Sequence, residues 1–323
     1  MKRPAFLNWR SLVVLGAALA LGAVLQFTDT NPAVSQVLTL NAYASPEDPG
    51  LDPSSSVWGR VSGVNVPLTA QTGAYAAGGG SVQTVNVKAV HYNGKMFFRV
   101  AWSDGTADES TTRVEDFADA VAIEFPAKSA STVPSICMGQ ADAGVNIWHW
   151  RADSNAGLKN PVEVYQNSSV DGYPSLETLF FTAREAGNPF ANPDLGPVQS
   201  LISRTFGELT AAATQDVSGF GARTNDGWAV VFSRPFESAN ASYAEFGPST
   251  KTDMALAVWD GSHDERNGRK SVSQFVSLRV GDAPAFEGGE DHTWTIIGAA
   301  VLLFGVTAIG GGLVLYGYRE RGD

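Results

Sequence analysis

Between about residues 57 and 282 the apolar positions recur every second residue, the period of a half-buried strand and not of a helix. Val85, Val87 and Ala89 alternate with Asn86 and Lys88, and Asn93-Gly94 supplies the two residue types that tolerate a tight hairpin turn. Lys95–Trp102 then returns with Met96, Phe98, Val100 and Trp102 on one face, and Asp104-Gly105 closes it. Further strands are predicted at Ala118–Phe125, Val145–Trp150, Trp228–Phe232, Met254–Trp259 and Val272–Val280. Short strands separated by Gly, Asp and Pro turns predict a mainly β fold, an antiparallel β-sandwich with a few short helices. Helices are expected only at Ser175–Ala186 and Val198–Ala213, and 47–56 and 187–197 read as Pro/Gly/Asn-rich loops.

The two ends carry a different pattern. Lys2, Arg3 and Arg10 precede an uncharged run from Ser11 to Leu25 with no polar face, which reads as an export signal or signal anchor over residues 1–36. Small residues suited to cleavage stand at Ala33-Val-Ser35 and at Ala42-Tyr-Ala44, and the sequence does not choose between them. Residues 293–318 contain no charge and are long enough to cross a hydrocarbon core of roughly 30 Å. Trp294, Tyr316 and Tyr318 sit where interfacial aromatics belong, and Arg319 and Arg321 follow on the side expected to stay in the cytoplasm. The expected organisation is a signal segment (1–36), an exported domain (45–283), an acidic linker (284–292), a transmembrane helix (293–318) and a cytoplasmic tail (319–323). The exported domain then lies in the periplasm or its equivalent, held to the membrane by a single span.

Composition narrows the function. The chain has 323 residues and a formal charge of −11, which excludes a general nucleic-acid binder because phosphate binding needs an excess of Lys and Arg on one face. The one cysteine, Cys137, excludes an intramolecular disulfide framework, a thiolate zinc cluster and a Cys-ligated iron–sulfur cluster within this chain.

Few residues carry recognisable chemistry. His91, His149, His263 and His292 have no metal-pair spacing, and neither a nucleophile elbow nor a phosphate loop is present. Each histidine reads as an ordinary strand or loop residue. Asp104, Asp108, Glu109, Glu115, Asp116 and Asp119 could hold calcium, but a solvated acidic loop fits the overall charge better. Trp102-Ser-Asp-Gly105 and Trp259-Asp-Gly261 echo one another, and two unrelated strand ends with Asp-Gly turns account for that. Two segments stand out. Met138-Gly139 precedes the aromatic strand Asn146-Ile-Trp148-His-Trp150-Arg-Ala-Asp153, and a polar loop after Trp259 delivers Lys270 onto a following strand. From the residues alone, Met138 is a gap-filling core residue and Lys270 a surface lysine.

These segments, in order, resemble the haem-b-binding γ subunits of ethylbenzene dehydrogenase and its relatives, the third subunits of exported molybdenum enzymes of the dimethyl-sulfoxide-reductase family, a group that includes chlorate and selenate reductases, dimethyl-sulfide dehydrogenase and some nitrite oxidoreductases and nitrate reductases. The resemblance is carried by Val85–Val90, Phe97–Thr106, Met138-Gly139, Asn146–Asp153, Trp228–Arg234, Ala257–Gly261 and Gly268–Ser273. It implies a haem b whose iron is held by Met138 and Lys270, with Trp148, Trp150 and Trp259 as pocket walls. It further implies an iron–sulfur β subunit and a molybdopterin α subunit as partners, a quinone or cytochrome c as electron partner, and no substrate chemistry in this chain. A thioether ligand favours ferrous iron, and lysine ligates only as the neutral amine, so its ordinary pKa of about 10.4 must fall. Two other functions fit the same fold class: an exported module that binds carbohydrate without haem, and a single-pass sensor or adhesion ectodomain. The lack of a disulfide pair weighs against the second.

Overall fold

The computed structural model describes residues 38–284, apart from 74–76, 112, 129, 131, 137, 158–195, 206, 239 and 241. The expected signal segment, acidic linker, transmembrane helix and tail, and the helix expected at Ser175–Ala186, lie outside the described residues. Among the described residues no helix is long and apolar enough to cross a membrane.

In chain order the strands are β1 (Thr39–Ala44), β2 (Val64–Pro67), β3 (Thr69–Ala70), β4 (Thr84–Tyr92), β5 (Lys95–Ser103), β6 (Ala120–Pro126), β7 (Val145–Arg151), β8 (Val198–Thr205), β9 (Glu208–Ala211), β10 (Ser218–Arg223), β11 (Gly227–Pro235), β12 (Lys251–Trp259), β13 (Ser271–Val272) and β14 (Val276–Pro284). Short helices occur at Ser56–Gly59 and Ala152–Gly157. The fold is mainly β, as the alternation predicts. The β4–β5 hairpin turns at Asn93 and Gly94, both at positive φ (46° and 71°), the geometry for which that pair of residues is suited.

The strands run β10-β11-β5-β4-β1-β14-β12-β6-β7-β8-β9. Strand β12 belongs to both halves. Lys251–Met254 pair with β14, and Ala255–Trp259 pair with β6. The opposite edge changes partner at the same level, because Ser273 breaks the expected strand Val272–Val280 in two. Its N–H donates to the Leu256 carbonyl and its Oγ accepts from the Leu256 N–H, both at 2.9 Å.

Two expectations fail. The sheet is mixed and not purely antiparallel, because β1 runs parallel to both β14 and β4. Val198–Ala213 is not a helix but the strands β8 and β9. Val198, Gln199, Ser200 and Leu201 are all buried, Val198 in the core between the sheets and Leu201 beside Val145 and Ile147 on the outer face, which erases the alternation.

The core lies between the two halves of the sandwich. Val121, Ile123 and Phe125 of β6, Trp148 and Trp150 of β7 and Leu256 and Val258 of β12 meet Met96, Phe98, Val100 and Trp102 of β5 and Trp228, Val230 and Phe232 of β11. Aromatic rings interlock there: Phe125 and Trp148 centroids are 4.8 Å apart, and Trp150 and Trp228 are 5.1 Å apart in an edge-to-face arrangement. Each such pair adds about 0.5–1.5 kcal/mol beyond its buried area. Arg234 is fully buried in this core, its guanidinium 5.3 Å from the Trp148 ring and 5.2 Å from Phe246, donating to Asn146 Oδ1 at 3.2 Å.

Candidate functional site

The outer face of the β12-β6-β7-β8 half forms the floor of a cavity of about 550 Å³, within the range of small-molecule and cofactor sites. Alternation dictates which residues reach it. As Val121, Ile123 and Phe125 of β6 point inward, Ala120, Ala122 and Glu124 point out; as Leu256 and Val258 of β12 point inward, Ala255, Ala257 and Trp259 point out. Four alanines side by side leave a low, flat floor with room for a planar group above it.

Met138 and Lys270 both line this cavity. Met138 arrives from the loop before β7 and packs against Val145, Ile147 and Leu201. It adopts a positive φ of 73°, which is unfavourable for a side chain with a Cβ, followed by Gly139 at 83°. The turn is fixed on both sides: the Ser203 hydroxyl donates to the Met138 carbonyl at 2.8 Å, and Gly139 N–H donates to the Ser135 carbonyl at 2.9 Å. Lys270 arrives from the loop after β12, with Nζ 5.1 Å from the centroid of the Trp259 ring. Its backbone is held between N–H donation to the Gly78 carbonyl (3.3 Å) and acceptance from Gln71 N–H (3.1 Å). Gly79 passes so close that a Cβ there would lie 2.3 Å from the Lys270 nitrogen. The loop itself is tied by Glu265, which accepts from Ser81 N–H and Oγ at 3.0 and 2.8 Å and from Asp260 N–H at 3.1 Å.

The three tryptophans divide. Trp259 is a cavity wall, its indole N–H donating to the Asn267 carbonyl at 3.0 Å. Trp148 and Trp150 do not reach the cavity. They lie fully buried between the sheets, donating to Asn146 Oδ1 and Asn155 Oδ1 at 3.0 and 3.1 Å. The correction is one of parity, because the residues of β7 that face the cavity are Ile147, His149 and Arg151.

His149 and Glu124 are site residues that the motifs did not single out. Burial, with the charges of Arg151 and Lys270, pushes the His149 imidazole down to about 3, so it is neutral at any physiological pH. Burial pushes the Glu124 carboxyl up to about 8 against the opposing pull of Lys270 and of a hydrogen bond from the Met138 N–H. Burial thus favours the protonated form of Glu124. Arg151 and Arg266 add positive charge to the lining, Arg266 lying 4.7 Å from the Phe117 ring. A thioether, an amine, an apolar floor, one aromatic wall and basic groups form a donor set suited to a flat apolar group with a metal centre and anionic edges.

The family model described as ethylbenzene dehydrogenase matches residues 55–271. A protein of Haloferax mediterranei described as a respiratory nitrate reductase haem subunit is 28% identical, over 88% of this chain and 90% of its own. The chlorate reductase subunit gamma of Ideonella dechloratans is 27% identical, over 82% of this chain and 94% of its own. Among solved structures, a family 9 carbohydrate-binding module of Caldicellulosiruptor kristjanssonii in complex with glucose aligns over 75% of this chain and 96% of its own, with 8% identity and a TM-score of 0.39.

Proposed function

Because this chain belongs to the ethylbenzene dehydrogenase family, we propose that it is the haem b electron-transfer (γ) subunit of an exported molybdopterin oxidoreductase, with Met138 and Lys270 as the iron ligands. The observation that carries this reading is the convergence of those two side chains, distant in sequence, on one alanine-floored cavity. Relatives named as a nitrate reductase haem subunit and a chlorate reductase gamma subunit support the same role.

The residues divide the work simply. Met138 offers a soft sulfur donor and Lys270 an amine that binds metal only when unprotonated. Trp259 presents its ring face to Lys270 Nζ, 5.1 Å from the centroid, a contact that favours the ammonium and that metal binding must displace. Burial pushes the Glu124 carboxyl up, which weakens the hold that an ionised Glu124 would have on the ammonium form of Lys270. Arg266 and Arg151, the latter paired with Asp153, line the cavity and would offer positive charge to the carboxylates of a bound haem. Held by Met138 and Lys270, a haem b would supply one-electron exchange, and with both positions taken by the protein it would offer none to substrate. This chain then relays electrons and carries out no substrate chemistry.

The relay runs between an iron–sulfur β subunit, which serves the molybdopterin α subunit, and a quinone or cytochrome c. Residues 293–318 hold the domain at the membrane as a single-pass anchor. The test is spectroscopic. The purified chain carries a Soret band and a b-type pyridine haemochrome, and Met138→Ala and Lys270→Ala each change the ligation spectrum and lower haem content. A colourless chain that takes up no haem on reconstitution overturns the proposal.

A further inference from the structure

Away from the cavity floor, three carboxylates converge. Asp104 follows β5, Asp119 precedes β6 and Asp260 follows β12, and each offers an oxygen within 4.8 Å of the other two. All are buried, with 6%, 0% and 6% of their surface exposed. Two of them belong to the echoed turns Trp102-Ser-Asp-Gly105 and Trp259-Asp-Gly261, so strand ends far apart in sequence deliver the same residue to one point.

The hydrogen bonds around the cluster are uneven. Asp119 is well supplied: Oδ1 accepts from Gly261 N–H, and Oδ2 from Asp108 N–H and the Trp228 indole N–H, all at 2.9 Å. Asp260 Oδ1 accepts from Ser262 N–H and Oγ at 3.0 and 2.7 Å, and Oδ2 lies 2.8 Å from His263 Nδ1. Asp104 Oδ1 accepts from Thr106 N–H and Oγ1 at 2.9 and 3.2 Å, whereas its Oδ2 is buried and accepts from no donor. Arg223 reaches Asp104 only at the backbone carbonyl, 3.0 Å from Nη2. An orphaned buried carboxylate oxygen is costly, and beside two further carboxylates it is relieved either by a shared proton or by a cation.

We propose that Asp104, Asp119 and Asp260 bind a divalent, oxygen-preferring cation of the Ca²⁺ class, with Asp104 Oδ2 as a direct ligand. Burial and mutual repulsion act in the same sense: the Asp104 carboxyl is pushed up by burial and by Asp260, and that of Asp119 is pushed up to about 7 by burial, with Asp104 adding to the rise. A bound cation removes both penalties. Three carboxylates supply part of the six to eight oxygens such an ion takes, and main-chain carbonyls and water supply the rest. The ion joins the end of β5, the approach to β6 and the start of the loop that carries Lys270, so it staples three chain segments. The site does not depend on haem.

The test uses the full chain, stripped with chelator and titrated with calcium chloride, with magnesium as competitor. One calcium binds per chain, the melting temperature rises by about 5 °C at calcium a hundredfold above its Kd, and Trp-sensitised terbium luminescence reports the ion beside Trp228. Asp104→Asn, which keeps the Thr106 hydrogen bonds, weakens calcium binding about tenfold or more, while Asp264→Asn, on an exposed loop position, leaves it unchanged. If Asp104→Asn does not fold, terbium displacement by calcium in the unaltered chain decides. A chain that binds no calcium, an Asp104→Asn variant with unaltered affinity, or a melting temperature that responds to pH but not to calcium overturns the proposal; the last outcome assigns the cluster to protons.

Discussion

The imidazole of His149 packs against the indole of Trp259, with ring centroids 5.1 Å apart and planes inclined by 52°. That contact occupies the ring of His149, the one described cavity residue other than Met138 and Lys270 that resembles a familiar haem ligand. His149→Gln is expected to retain the ligation spectrum of the unaltered chain, whereas Lys270→Ala changes it. Low-temperature magnetic circular dichroism distinguishes amine from imidazole ligation, and a spectrum lost only in His149→Gln refutes the Met138/Lys270 assignment.

Trp148 and Trp259 belong to opposite faces of the sheet, so their removal has different consequences. Trp148→Ala leaves a cavity in the aromatic core and is expected to cost about 3–5 kcal/mol of stability. Trp259→Ala removes a wall from an open cavity and lowers haem affinity more than it lowers stability. Urea unfolding together with haem titration separates the two.

Arg234 is placed where a charge is hardest to lose cleanly. Its Nε is 4.0 Å from Asp216, whose carboxyl is pushed up by burial, and burial pushes the guanidinium down. Arg234→Ala takes the cation from beside Asp216 and a donor from the Ala244 carbonyl, while Asn146 Oδ1 keeps the Trp148 N–H, and it is expected to destabilise by about 3–5 kcal/mol. Arg234→Met, which keeps the packing on Trp148 and Phe246, costs less. Denaturant midpoints of the two variants test that order.

Gly79 has a φ of 87° and lies against the Lys270 backbone. Gly79→Ala must both strain that conformation and push Lys270 aside. Its expected signature is a shifted Soret band and weakened haem retention, with a stability loss of about 1–2 kcal/mol from the backbone conformation. An unshifted spectrum shows that the lysine is positioned by other contacts.

Strand β1 bears on processing at the N-terminus. Leu40 and Ala42 are buried to within 1%, between β14 and β4. Cleavage after Ala42-Tyr-Ala44 would remove this strand and expose both neighbours. If the leader is cut, the mature chain is therefore expected to begin before Thr39, consistent with the earlier Ala33-Val-Ser35 site. N-terminal sequencing of the exported protein checks this.

Strands with one face in the core were legible: Met96, Phe98, Val100 and Trp102 alternate with Phe97, which packs in a second cluster on the other face, and with the half-buried Arg99 and Ala101. Strand β8 was not, because it is buried on both sides and its apolar spacing imitates a helix. The same logic governs the site. Period two along β7 already separates Trp148 and Trp150 from His149, but two tryptophans flanking a histidine look like a pocket unless parity is followed from β6. Nothing in residue chemistry alone distinguishes Met138 from a core filler or Lys270 from a surface lysine, since the loops before β7 and after β12 are what bring the two to one cavity. Those residues came from the family resemblance, and Glu124 came only from the structure.

Strand β12 lends its first half to one layer and its second half to the other. Sliding of one layer across the other would have to break hydrogen bonds within a single continuous strand. The floor beneath Trp259 is thereby fastened to the opposite layer, and hydrogen exchange along Lys251–Trp259 should report one common opening free energy for both halves of the domain.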